Sequence, residues 1–137
     1  MTPLDAPLLD APLLDAPLLD APLLDLTLLI ATIACVLANG FEVVAKAARA
    51  RFVLDNCAAV GVDHAWLPYL AVIEGAGVVG LALGLAGVPL IGQAAALGLT
   101  GFFVVAVAVH IRTGVLHNIA FPLAFLLLAV AALAHFA

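Results

Sequence analysis

The chain has 137 residues, of which 67% are hydrophobic and 9% charged, with a mean hydropathy of +1.33. Soluble domains carry roughly 25% charged residues, so a chain this poor in polar side chains cannot cover an aqueous surface. A net charge of −5 and only four Lys and Arg residues leave no basic patch, which excludes nucleic acid as a partner.

The first 25 residues differ in kind from the rest. Ala-Pro-Leu-Leu-Asp occurs four times in register over residues 6–25, after a degenerate copy over residues 2–5. Asp5, Asp10, Asp15, Asp20 and Asp25 supply five of the nine acids, so the charge of the remainder balances. A proline every fifth residue denies a continuous helix its hydrogen bonds, and a five-residue period gathers neither leucines nor aspartates on one helical face. A pentapeptide solenoid would need more stacked coils than four copies provide. The segment reads as an irregular Pro/Leu/Asp arm. It is either a flexible or membrane-skimming tail, or a docking arm whose pairs Leu8 and Leu9, Leu13 and Leu14, Leu18 and Leu19, and Leu23 and Leu24 fill pockets on a partner. With no basic leader and no small-residue cleavage site, it is not read as a secretory signal.

Four apolar stretches follow, at about 26–47, 66–86, 89–111 and 119–136. Each is near the ~20 residues that carry a helix across a ~30 Å hydrocarbon core. Backbone groups in lipid must pair within their own segment, so the expected architecture is all-α, a four-transmembrane-helix bundle preceded by the arm. Gly87-Val88-Pro89 is expected to form a tight turn, and Arg51–Ala59 a short interfacial helix in the one long connection. Lys46, Arg49 and Arg51 follow the first span and Arg112 follows the third. Basic connections mark the cytoplasmic side, which predicts a multi-pass protein of a bacterial inner membrane with both termini outside.

Polar residues inside the spans are few. Asn39, Glu42 and Lys46 share one face of the first helix, with Glu42 and Lys46 in the favourable i, i+4 order. Glu74 lies about 12 Å below the interface in the second span, and His110 lies near Arg112 at the end of the third. An ionisable group in a span costs ~3 kcal/mol or more unless it faces the bundle interior or a wet cavity. A shared cluster is therefore expected, with Glu74 bonded to His110 or Arg112 and with Glu42 and Asn39 beside it. Such a cluster is either glue between helices, a polar pocket for a headgroup, quinone ring or small solute, or a proton relay. Trp66 and Tyr69 read as an interfacial aromatic anchor.

Ala76, Gly80 and Gly84 form a small-residue ridge at four-residue spacing, repeated by Gly92 and Ala96. Such ridges let helix backbones approach closely in lipid. Cys35 and Cys57 make no C-x-x-C pair, so thiol–disulfide exchange is not indicated. The scattered histidines lack the spacing of a metal or haem site, and no intrinsic cofactor is expected. Residues 75–80 spell G-x-G-x-x-G inside an apolar span, where no dinucleotide could reach them.

The run from Tyr69 through Glu74, Gly80 and Gly84, then Pro89, then Val109-His110-Ile111-Arg112-Thr113-Gly114 and a final apolar helix, resembles the DoxX-like family of small membrane proteins. Asn39-Gly40-Phe41 up to Lys46 looks like that family's first-helix ending, without the Pro-Lys more usual there. The resemblance covers about residues 26–136 and implies a four-helix bundle. Through the family's namesake it also implies an association with quinone-linked sulfur oxidation and membrane redox complexes. The expected role is a small accessory subunit of a larger membrane complex, without catalytic activity of its own, contacting lipid and either that complex or further copies of itself. The contrasting reading is a stand-alone protein, enzyme or transporter, that handles a quinone or small solute.

Overall fold

The computed structural model describes residues 21–137, and all of the regular structure there is helical. Helix α1 spans Ala21–Ala47, α2 Arg51–Ala59, α3 Leu67–Leu85, α4 Pro89–Thr113 and α5 Ala120–His135. Short 3-10 turns, His64–Trp66 and Leu116–Asn118, lead into α3 and α5. The sequence places the end of the arm at Asp25, whereas α1 begins at Ala21, inside the last repeat copy. The physical reason is position: Pro22 lies in the first helical turn, whose N–H groups have no partner to lose, and the next proline is Pro68. The repeat copies before Ala21 lie outside the described residues, as do Leu8, Leu9, Leu13, Leu14, Leu18 and Leu19.

Three helical stretches are long and apolar enough to cross a membrane: Ala21–Ala47, His64–Leu85 and Pro89–Thr113. Helix α5 is apolar but has 16 residues, a rise of about 24 Å. The four apolar helices close a ring in which α1 packs on α3, α3 on α4, α4 on α5 and α5 back on α1. Helix α4 ends where Gly114 adopts a left-handed φ of 73°, and its N–H caps the carbonyls of His110 and Ile111.

The interior is made largely of small and medium side chains: Cys35, Leu81, Ala96, Leu99, Phe103, Ala129 and Ala132 are buried together. Large apolar residues face outward instead, Leu37, Val72, Leu90 and Leu127 each being roughly 70% exposed or more. Water does not tolerate such an exterior on every helix, and lipid does. Backbones approach most closely between α3 and α4, where a Cβ on Gly84 would stand 2.5 Å from the Gly92 Cα. Gly80, Gly84, Gly92 and Ala96 are all buried along this contact, but Ala76 is exposed. The buried small residue one turn before Gly80 is Gly77, against which Leu99 packs.

Candidate functional site

Glu74 is fully buried in α3 beside the end of α1. A Cα–Cβ bond tilts toward the N-terminus of its helix, so the long side chain of Lys46, in the last turn of α1, reaches back into the bundle. Its Nζ stands 2.7 Å from Glu74 Oε2 and 3.0 Å from Glu42 Oε2, placing one ammonium between two carboxylates. The Lys46–Glu42 contact is a hydrogen bond; the Lys46–Glu74 contact is an ion pair off the hydrogen-bonding direction. Glu74 Oε1 has no hydrogen-bond partner among the described residues.

This corrects the expected pairing of Glu74 with His110 or Arg112. Arg112 is exposed in the last turn of α4. His110 is buried, but its Nδ1 bonds the carbonyl of Ala106 on its own helix at 2.8 Å, and its Nε2 has no partner among the described residues. Lys46 is in turn no loop charge, and its signal in the sequence was the i, i+4 spacing with Glu42 together with the backward tilt of helical side chains. Asn39 is fully buried on the same face of α1, where its Nδ2 donates to the Cys35 carbonyl at 2.8 Å and its Oδ1 has no partner among the described residues.

These groups meet at one end of the bundle. Glu42, Lys46, Glu74 and His110 line a single cavity of about 1250 Å³. Helix α2 and the loop after it form one wall through Phe52, Val53 and Cys57, and the starts of α3 and α5 with the end of α4 form the others. Phe102, Phe103, Phe121 and Phe125 make much of the apolar lining. Asn39 and Arg112 are not in the lining. This wall is not legible from residue pattern alone, because α2 mixes Arg51, Asp55 and Asn56 with its apolar side chains as an ordinary loop helix does. Two packing contacts hold it in place: Val53 and Cys57 are buried against Ala45 and Leu67, and Phe52 stacks on Phe41 with ring centres 6.2 Å apart. His64 Nε2 bonds the Leu54 carbonyl at 3.0 Å and ties the turn before α3 to α2. Trp66 and Tyr69 lie exposed at the same end, 5.8 Å apart, with Trp66 on the cavity rim.

Chemically the site offers a neutralised carboxylate, a buried imidazole and aromatic walls. Such a site suits binding of a small molecule with an apolar body and a few polar atoms. Cys57 borders it with a thiol pushed above its ordinary range, first by burial and further by Glu42, against a lowering by Lys46. No curated protein and no solved structure matches this chain. The DoxX-like family matches residues 30–132, which takes in α3 and α4 whole, most of α1 and α5, and every residue of the charged cluster. With apolar helices in sequence and outward-facing apolar side chains, the protein is a multi-pass membrane protein and belongs to the DoxX-like family.

Proposed function

We propose that this protein spans the membrane four times and holds a small ring-bearing amphiphile of the quinone type in the cavity at its basic end. One observation supports this above others: buried Glu74 and buried His110 border the same aromatic-walled cavity. Its volume of about 1250 Å³ lies just above the ~300–1,000 Å³ of typical small-molecule sites. Helix α5 serves as the fourth span, its short length met by the preceding turn and by local thinning of the bilayer. Arg49, Arg51 and Arg112 are exposed at the cavity end, and basic connections of this kind support the reading of that end as cytoplasmic, with both termini outside, in a bacterial inner membrane.

The test uses Trp66, the one tryptophan of the chain, as a reporter on the cavity rim. Titrating the detergent-purified protein with a short-chain dimethoxy-methyl benzoquinone should quench its emission saturably. A Cβ on Gly101 meets nothing within 4 Å although Gly101 lines the cavity, so Gly101→Phe fills the space without a backbone clash. That variant should lose the saturable phase; saturation of equal affinity in both proteins would refute the reading.

A second reading is that of an accessory subunit of a larger redox or quinone-linked membrane complex, or of a homo-oligomer, docked through the repeat. It is favoured by the start of α1: this helix has 27 residues against 16 in α5, and residues 21–27 are all exposed, Leu23 and Leu24 among them. Deleting residues 2–20 should then leave insertion intact but strip partners from a mild-detergent extract, as read by native mass spectrometry. Unchanged partner content would remove the docking role.

A further inference from the structure

We infer that the cavity is a slot open to lipid along the seam of α3 and α4, and that its ligand is a long-chain amphiphile whose hydrocarbon chain leaves through that slot near the middle of the bilayer. This rests on the proposed function, since it names the chain and the entry route of the same ligand.

The lining descends α4 as far as Gly98. The next residue, Leu99, packs on Gly77 of α3, so the two helices are level there. Gly77 lies ~15 Å along α3 from its start at Leu67. That is about half of a ~30 Å hydrocarbon core. The cavity therefore reaches from the basic end to the middle of the membrane.

Inward of this deep end the bundle is filled, with Leu81, Ala96 and Leu99 buried together. Outward it is open. Gly98, Gly101 and Val105 on α4 and Ile73 on α3 all line the cavity, and all are exposed. A Cβ added to Gly98 or Gly101 meets nothing within 4 Å. The deep end thus gives onto the side of the helix pair that turns toward lipid.

Polarity changes along the same line. Asp55, Asn56 and Asp63 line the mouth at α2 and the loop after it, whereas every lining residue of α4 before His110 is glycine or apolar. A membrane amphiphile lies in its leaflet in the same order, head at the surface and chain toward the middle. A ligand entering by the mouth would first have to wet its whole chain, against the hydrophobic effect. One entering through the slot never leaves its leaflet. An apolar slot is no better a solvent for a chain than lipid is, so the slot provides passage rather than affinity.

Quenching of Trp66 in a single detergent, by the short-chain dimethoxy-methyl benzoquinone and by its decyl homologue, tests the slot. Native protein should bind both. Gly98→Phe plugs the slot and should weaken the decyl compound by about tenfold or more, while the short-chain compound changes by less than about threefold. Gly98→Leu carries the same expectation where the phenylalanine variant does not fold. Leu97→Phe adds the same ring at an exposed position outside the lining and should change neither. Decyl binding unchanged in Gly98→Phe, both compounds weakened alike, or an equal loss in Leu97→Phe would overturn the chain route and leave the ring site standing. Native protein that binds the short compound but not the decyl one would do the same, with no variant needed. Binding of neither compound by native protein would overturn the ring site as well.

Discussion

Lys46 sits between Glu42 and Glu74, and the three are not equivalent. Replacing Lys46 with Met leaves a fully buried carboxylate without a counter-charge, which should cost ~3–5 kcal/mol. Glu74→Leu leaves Lys46 still bonded to Glu42 and should cost less, on the order of 1.5–3 kcal/mol, the value of one charge-assisted contact. The double variant should recover most of the Lys46→Met loss. Unfolding of each protein in mixed micelles measures all three, and a Glu74→Leu loss equal to that of Lys46→Met would mean that Glu42 does not hold the lysine. Cys57 gives a prediction in pH. A raised pKa means less thiolate at any given pH, so Cys57 should react with a maleimide several-fold more slowly than free cysteine near neutrality. The gap should narrow as pH rises, and Cys35→Ser protein makes the measurement specific. Reaction as fast as free cysteine would show a thiol that is neither buried nor raised.

At the scale of the element, α3 and α4 are set by how near their backbones come. A methyl group on Gly84 meets the Gly92 Cα and the Phe136 ring at under 3 Å, so Gly84→Ala must push helices apart. The expected loss is ~1–3 kcal/mol, the scale of overpacking. Gly98 has nothing within 4 Å of an added Cβ, and Gly98→Ala should be neutral or stabilising by up to about 1 kcal/mol through helix propensity. Comparing the two by thermal unfolding in detergent isolates the contact from the loss of a glycine as such; equal effects would mean that close approach does not govern the pair. The exchange of Ala76 for Gly77 at this contact belongs to the same scale. Helices that are apolar all round carry no polar face to show which way they turn, and a rotation of one residue, about 100°, moves a ridge from the contact to the lipid.

For the whole molecule, the cavity and the exposed arginines Arg49, Arg51 and Arg112 share one end of the bundle. The orientation reading predicts that, with Cys35 and Cys57 replaced, a cysteine at Thr113 is protected in intact cells from an impermeant thiol reagent added outside, while one at Thr2 is labelled. Labelling at Thr113 alone would invert the topology and move the cavity to the outer face. Lys46 bears on this reading because it is occupied inside the bundle, which leaves the sidedness to Arg49, Arg51 and Arg112.

The sequence by itself determined the helical membrane class, because long runs without charge have few other ways to satisfy backbone groups in lipid. It also located the breaks between helices, through Gly87-Val88-Pro89 and the polar stretch around Arg51, and it marked Glu74 as a residue that lipid would not tolerate unpaired. The start of α1 was not legible, since a proline that breaks a helix interior is harmless in a first turn and the repeat does not say which copy is first. Tertiary structure alone decided that Glu74 meets Lys46 rather than His110 or Arg112, because the choice depends on helix rotation and on the reach of a lysine side chain. It alone made α2 a wall of the cavity and fixed the His110 tautomer through the Ala106 carbonyl. In lipid the inside and outside of a bundle are equally apolar, so the pattern that gives away the buried face of a soluble helix is missing, and only packing supplies it.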